Sequence, residues 1–191
     1  MRPHLRRFIE ACRDTLPLGE PIYEFGALQV QGDSDLENLR TIFPGRDYVG
    51  SDMRPGDGVD VVLDLHDLHL ADSVVGTAIC MDTLEHVEYP RRAVREMQRV
   101  LKPGGILIMS SVMNFPVHGY PNDYWRFTPE GFRSLLNVFT GQFVGHTGPD
   151  AFPHSVVGIG FNGTAPSLEA FQPAFQAWQQ RCNATIKRLS P

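Results

Sequence analysis

The stretch that decides the fold runs from Cys80 to Gly105 and reads CMDTLEHVEYPRRAVREMQRVLKPGG. The apolar run over 74–81 predicts a buried strand. Apolar residues then recur at helical spacing, which predicts a helix over 91–101 that ends at the Pro-Gly-Gly segment. A second apolar run, over 106–111, predicts the next strand. The stretch is therefore a strand–helix–strand unit, and we expect a ligand crevice where the chain leaves the first strand.

The rest of the chain continues this alternation. Strands of continuous Val, Ile and Leu character predict a mostly parallel sheet, buried on both faces by helices. The last two strands are expected to be antiparallel. The further predicted strands are 22–25, 48–51, 59–63, 142–147 and 155–161, and the further predicted helices are 4–14, 35–43, 129–139 and 167–188.

The composition excludes some classes of function. Of 191 residues, 42% are hydrophobic and 20% are charged, which is enough apolar material for one domain with a core. The formal net charge of −5 leaves no basic footprint, so we expect neither a nucleic-acid partner nor a membrane partner. The cysteines have no metal or redox spacing, which favours a cytoplasmic location.

Two acidic residues are placed at predicted strand ends. Asp52 could accept hydrogen bonds from both hydroxyls of a ribose, or be a solvated turn acid. Asp64 could accept from an adenine amino group, or cap a helix. In the first loop, Leu28 stands where a dinucleotide-binding loop has its second glycine after Gly26, so a diphosphate is disfavoured. The loop therefore counts against NAD or FAD and is neutral for S-adenosyl-L-methionine, a cofactor without a phosphate.

Five short segments, in this order, resemble the signature of class I S-adenosylmethionine-dependent methyltransferases of the type 11 group. A later segment, VHGYPNDYWRFTPEG over 117–131, resembles a branch of that group found among uncharacterised bacterial proteins. The five segments are EFG (24–26), YVGSD (48–52), DLHDL (64–68), LEH (84–86) and LKPGG (101–105).

The resemblance implies a Rossmann-like α/β fold: a single methyltransferase domain over 1–191, with a mostly parallel sheet and an antiparallel final strand. Its parts would be an N-terminal helix (1–20), a cofactor-binding core (21–140), and terminal strands with a helix (141–191). The implied reaction is methyl transfer from S-adenosyl-L-methionine, which leaves S-adenosyl-L-homocysteine. The implied cofactor residues are Glu24 and Gly26 with Ala27 near the methionyl part, Asp52 at the ribose, Met53, Asp64 and Leu65 at adenine, and Met81 and Asp82 near the sulfonium.

The acceptor side depends on the loop after the strand 106–111. His118 is the leading candidate for a general base, and its alternative is a loop histidine bonded to backbone. His86 is a second candidate, although it is expected mainly to structure its turn with Glu85. Tyr124 is a third, because the aromatic residues of this loop could either form a substrate platform or pack the next helix onto the sheet. The loop aromatics are Tyr120, Tyr124, Trp125 and Phe127.

We expect the acceptor to be a small molecule, such as a sugar or another polar metabolite. One alternative is a catalytically silent protein of this fold that binds the cofactor or a protein partner. Another is a nucleotide-dependent oxidoreductase. No metal is expected, since the acids and histidines between Asp64 and Asp72 match no standard ligand spacing. An oligomer is possible, but nothing in the sequence supports one.

Overall fold

The computed structural model of the protein describes residues 2–29, 38–119 and 121–189, in which strands alternate with helices. Short 3₁₀ turns lie at Leu39–Ile42 and Leu84–His86. The helices are α1 (Pro3–Thr15), α2 (Pro90–Val100), α3 (Pro129–Leu136) and α4 (Phe171–Leu189). The strands are β1 (Ile22–Phe25), β2 (Tyr48–Asp52), β3 (Val61–Val62), β4 (Val75–Met81), β5 (Leu101–Val112), β6 (Gly141–Thr147) and β7 (Ser155–Asn162).

These strands form a single sheet in the order β3-β2-β1-β4-β5-β7-β6. β7 runs antiparallel to both of its neighbours, and every other pair is parallel. The predicted α/β class, with a mostly parallel sheet and an antiparallel final strand, is confirmed. The carboxyl ends of β1, β2 and β4 therefore lie side by side, where a parallel sheet places its ligands.

Helices cover both faces of the sheet, as predicted. Alternate residues of β4 point to opposite faces: Ala78 and Cys80 belong to one apolar core, whereas Ile79 and Met81 belong to the other. The first core contains residues of α2 and α3, and the second contains residues of α1 and α4. Every residue of β4 is buried, so the strand shows no alternation of apolar and charged residues, and its one polar side chain is Thr77.

Two predicted elements differ from the structure. The strand predicted over 59–63 is reduced to Val61–Val62. The Val59 N–H donates to the Gly56 carbonyl within a turn, and the Asp60 N–H donates to the carbonyl of Gly50 in β2. Of the helix predicted over 35–43, the part after residue 37 forms only the 3₁₀ turn. Its first residues lie outside the described part of the chain, as do residues 30–34 of the loop before it.

The sequence predicted that the Pro-Gly-Gly segment ends the helix, and this prediction is wrong. The Lys102–Gly105 segment lies inside the sheet, as part of β5. Helix α2 already ends at Val100, and the segment forms a bulge inside β5. Leu101 pairs with Val75, but the next pair joins Ile106 to Thr77, so the segment is extra length in β5. None of the described helices has both the length and the apolar character needed to cross a membrane.

Candidate active site

A cavity of about 530 Å³ opens at the carboxyl ends of the central strands. All nine predicted cofactor residues and all three predicted acceptor-side residues line it, with Met81 and Asp82 at the tip of β4. On either side of these two residues the cavity has two ends, which are named here and defined by the residues that line them. The strand-tip end is Glu24, Gly26, Ala27, Asp52, Met53, Asp64 and Leu65. The loop end is Arg2, Glu85, His86, Phe115, His118 and Tyr124.

Gly26 brings the first loop close to the tip of β4. Its φ of +89° lies in the left-handed region, which favours glycine. A Cβ at this position would overlap Oγ1 of Thr83. The N–H groups of Gly26 and Ala27 both donate to the carbonyl oxygen of Ser51, at 2.8 and 2.9 Å. Only glycine therefore allows this close passage of the loop between β2 and β4.

Glu24 is a buried carboxyl that joins β1 to β2. The Tyr48 hydroxyl donates to its Oε2 at 2.5 Å, and the Ser51 hydroxyl donates to its backbone carbonyl at 2.9 Å. Burial raises the pKa of Glu24 to about 7, although the bond from Tyr48 opposes the shift. Glu24 thus fixes the strand end from which the first loop departs.

Asp52 and Asp64 differ in exposure. The Asp52 carboxylate accepts a hydrogen bond from the Arg54 N–H at 3.0 Å, and its side chain is only 12% exposed. The Asp64 side chain is 57% exposed, and its carboxylate accepts from the His66 N–H at 2.8 Å. Next to Asp52, the Met53 side chain is exposed, and Leu65 is buried beside Asp64. The strand-tip end therefore offers carboxylate oxygens beside apolar side chains.

Arg2 makes a two-pronged ion pair with Asp82. Its Nε and Nη2 donate to the two carboxylate oxygens at 2.9 and 2.7 Å, and its Nη1 donates to the Ser155 hydroxyl at 2.7 Å. The Ser110 hydroxyl adds a bond to Asp82 at 3.0 Å. Burial favours the neutral acid, but the Arg2 charge and these bonds outweigh it and hold the pKa of Asp82 below its usual value.

Glu85 is fully buried at the loop end. The Ser111 hydroxyl donates to its Oε2 at 2.6 Å, whereas its Oε1 has no hydrogen-bond partner among the described residues. Burial, and then the charge of Asp82, raise the pKa of this carboxyl above its usual value.

The imidazoles of His86 and His118 meet edge to face, with ring centroids 4.8 Å apart. Nδ1 of His118 lies 3.1 Å from the Asp123 carboxylate and 3.2 Å from the Pro116 carbonyl. Nδ1 of His86 lies 2.5 Å from the Asn122 carbonyl. Since carbonyl oxygens only accept, both Nδ1 atoms carry the proton and both Nε2 atoms keep a free lone pair. Burial also lowers the pKa of His86.

The expectation that His86 structures its turn with Glu85 is wrong. The loop between β5 and α3, here called the aromatic loop, folds back over this turn. The His86 side chain therefore bonds to that loop, and the Glu85 side chain bonds to β5. The backbone N–H of Tyr124 also donates to the Glu85 carbonyl at 2.7 Å. His86 therefore joins the turn to the aromatic loop.

The loop aromatics divide between the two roles that the sequence left open. Phe127 is buried and packs on Phe132 of α3. Trp125 stays half exposed, and its indole N–H donates to the Val87 carbonyl at 3.0 Å. Tyr124 is half exposed and lines the cavity. Tyr120 lies outside the described residues.

Sequence reasoning missed Arg2, the Glu85 carboxyl and Phe115 as cavity residues. The LEH segment draws attention to Glu85, but the sequence does not show that its carboxyl is buried. Arg2 carries no local signal, because its partners are 80 and 153 residues away along the chain. A metal cluster was not expected either. Within the described residues, the ligand types do converge at Glu85, His86 and His118, and not between Asp64 and Asp72.

Comparison with known proteins finds a family match over part of the chain. Residues 47–109 match the family model described as a methyltransferase domain. No curated protein matches the sequence closely enough to count as a relative.

Solved structures share the fold at low sequence identity. A SAM-dependent methyltransferase of Thermotoga maritima is 21% identical, with 83% of this chain and 89% of that chain covered and a TM-score of 0.58. A Burkholderia thailandensis 1,6-didemethyltoxoflavin-N1-methyltransferase, solved with 1,6-didemethyltoxoflavin and S-adenosylhomocysteine, is 14% identical over 84% and 80%, with a TM-score of 0.58. A chain of the complex between the Haloferax volcanii Trm112 methyltransferase activator and a methyltransferase is 16% identical. The match covers 86% of this chain and 92% of that chain, with a TM-score of 0.55.

Proposed function

We propose that this chain, a class I S-adenosylmethionine-dependent methyltransferase by its fold and by the domain over residues 47–109, transfers a methyl group to a small-molecule acceptor. The observation that carries the proposal is the convergence of every predicted site residue on one cavity. These residues come from separate strand ends along the sequence, so a chance meeting around one cavity is a poor explanation.

The strand-tip end is proposed to hold the cofactor. Asp52 would accept from the ribose hydroxyls, Met53 would cover the adenine, and Asp64 with the Leu65 backbone would bind the adenine edge. Gly26 and Ala27 would pass the methionyl part, because the cradle at Gly26 is one that a Cβ would fill. Met81 and Asp82 would lie near the sulfonium. Leu28 belongs to the same loop and lines the cavity, where its side chain disfavours a diphosphate.

When bound, the cofactor supplies an electrophilic methyl carbon, and the protein supplies alignment and exclusion of water. The buried or half-buried residues around the tip of β4 suit both tasks. The loop end is proposed to receive the acceptor. His118 offers its Nε2 lone pair to an acceptor proton, while Asp123 and Pro116 hold its ring in place. His86 and Tyr124 are the further acceptor-side candidates.

A cavity of this volume suits a small molecule, and a net charge of −5 does not favour binding to nucleic acid. A sugar or another polar metabolite is the acceptor class that we favour. The cytoplasmic location and the single-domain organisation over 1–191 remain predictions.

Isothermal titration calorimetry with S-adenosyl-L-homocysteine tests the proposal. We expect one saturable site per chain. Asp52→Ala should weaken binding about a hundredfold, on the scale of two charge-assisted hydrogen bonds.

The matched control is Asp57→Ala, which removes an exposed carboxylate from the turn after β2 that does not line the cavity. It should bind like the wild type. No binding by the wild type, or equal losses in both variants, would overturn the proposal.

A further inference from the structure

We infer that Glu85, His86 and His118 form a binding site for a divalent first-row transition-metal ion, with Zn²⁺ as the type case. The inference rests on the proposed function and deepens its acceptor side. All three residues line the loop end of the cavity.

The spacing of the three side chains is the first support. Each offers one ligand atom, and these atoms all lie within 4.8 Å of one another. The residues come from the turn after β4 and from the aromatic loop, so the fold assembles the cluster from two segments. A small inward movement of the side chains would place the three ligand atoms around one shared ion. Zn²⁺ bonds to nitrogen and to carboxylate oxygen are about 2.0–2.2 Å long.

The second support is the unpartnered oxygen of Glu85. The residue is fully buried, Oε2 is bonded to Ser111, and Oε1 has no partner among the described residues. A buried oxygen without a partner costs about 1–3 kcal/mol, and native proteins rarely leave one unsatisfied. Because Glu85 lines the cavity, a cation held there would satisfy this atom.

The third support is the anchoring of both histidines. Histidines that bind metals usually donate the other ring N–H to a carboxylate or to a backbone carbonyl, which fixes the ring and the tautomer. Nδ1 of His118 donates to the Pro116 carbonyl and lies 3.1 Å from the Asp123 carboxylate, and Nδ1 of His86 donates to the Asn122 carbonyl. Both Nε2 lone pairs are therefore left for a ligand. The Arg126 guanidinium in turn holds Asp123, donating at 2.5 Å.

The ligand chemistry selects the class of ion. Two imidazoles and one carboxylate suit Zn²⁺, Fe²⁺ or Co²⁺, whereas Mg²⁺ and Ca²⁺ prefer an all-oxygen shell. Three protein ligands leave a coordination position open, as in catalytic zinc sites. An acceptor oxygen could occupy that position beside the proposed sulfonium site. With the ion bound, His118 Nε2 is a ligand, and the Lewis acid takes over its role of activating the acceptor.

Metal titration of the tag-free, full-length chain tests the inference. The protein is stripped with a chelator and dialysed, then titrated with Co²⁺ in absorption spectroscopy and with Zn²⁺ in calorimetry. We expect one ion per chain and a Co²⁺ spectrum of low coordination number. His86→Ala and His118→Ala should each weaken binding at least about a hundredfold, since loss of an outer-shell partner alone costs 10–100-fold.

Two further variants complete the design. His66→Ala is the matched control, because His66 also lines the cavity and has its Nδ1 engaged by Asp64, but lies outside the cluster. It should bind metal like the wild type. Glu85→Gln keeps an oxygen for the Ser111 hydroxyl while removing the charge. It should fold, as judged by circular dichroism, and lose at least about tenfold in affinity.

The metal site and the methyltransferase proposal fail in different ways. S-adenosyl-L-homocysteine is titrated separately, in the presence of chelator. Cofactor binding without a one-to-one metal site, or metal binding that ignores the His86 and His118 variants, would overturn the metal site alone. A one-to-one metal site that responds to the variants supports it even where the cofactor does not bind.

Discussion

The strand-tip end and the loop end of the cavity are built from different kinds of contact. At the strand-tip end, the residues lie near or just after the carboxyl ends of β1, β2 and β3, and some of their bonds join neighbouring strands, as between Glu24 and Tyr48. At the loop end, Arg2 precedes the first helix and bonds to Asp82 and Ser155, which follow β4 and begin β7. The loop end therefore depends on contacts between distant parts of the chain.

This difference separates two ways of placing a side chain. A residue at a strand end is positioned by the sheet ladder, which many backbone hydrogen bonds maintain. A residue at the loop end is positioned by a few side-chain bonds, so a single substitution can release it. We therefore expect substitutions at the strand-tip end to act through backbone geometry, and those at the loop end to act through lost charge pairs.

The largest expected effect is at the strand-tip end, where Gly26→Ala should lower the free energy of unfolding by about 4 kcal/mol. Left-handed backbone strain accounts for roughly 1–2 kcal/mol of this, and the overlap with Thr83 accounts for the rest. Urea denaturation measures the change.

Gly45→Ala is the matched control, since Gly45 also has a positive φ, of +76°, but has open space around its Cβ position. It should cost only the backbone strain. Equal losses in the two variants would show that the contact with Thr83 does not matter.

At the loop end, Arg2→Ala should cost about 2–3 kcal/mol of unfolding free energy. Removing one partner of a buried ion pair costs about 3–5 kcal/mol, and this pair is partly exposed, at 22% and 16%. Arg2→Lys should recover only part of the loss, because an ammonium group cannot make the two-pronged contact.

Arg7→Ala removes an exposed arginine from α1, the helix that Arg2 precedes, and should change stability by less than about 0.5 kcal/mol. Chemical denaturation of the three variants measures these values. If Arg2→Ala matched Arg7→Ala, the loop end would not depend on its ion pair.

The smallest expected effect is a pH dependence at the strand-tip end. The pKa of Glu24 is about 7 in the folded protein and near 4.5 when unfolded. Between these values the folded state holds a proton that the unfolded state releases, so the Glu24 contribution to stability falls as pH rises from about 4.5 to 7. Glu24→Gln should therefore gain about 2 kcal/mol relative to the wild type between pH 5 and pH 8.

The measurement is the difference in unfolding free energy between the two proteins at several pH values. Other carboxyls titrate in both proteins and cancel in this difference. The variant keeps an oxygen for the Tyr48 hydroxyl. A difference that is flat across this range, or that has the opposite slope, would contradict the raised pKa.

Much of the fold was predictable because its signals are local. The apolar run of β4 and the helical spacing of α2 each lie within a dozen residues, so periodicity alone identifies them. The strand-tip residues were predictable for the same reason, because Gly26, Asp52 and Asp64 stand at or just after strand ends. Their roles in binding remain proposals.

The remaining features depend on information that no short segment carries. The burial of Glu85 results from Ser111 and from the returning aromatic loop. The bulge at Lys102–Gly105 is defined only by its pairing with β4, so the segment reads as a helix stop in the sequence. The convergence of Glu85, His86 and His118 likewise needed the folded loop.

The guanidinium of Arg2 links three segments, since Asp82 follows β4, Ser155 begins β7, and Ser110 of β5 shares the Asp82 carboxylate. In effect it is a non-covalent cross-link across the mouth of the cavity. A protease that trimmed the chain just after Arg2 would leave the apolar cores and the sheet ladder in place. The trimmed protein would still look folded by its secondary structure, yet the Asp82 carboxylate would have lost its charged partner and its link to Ser155.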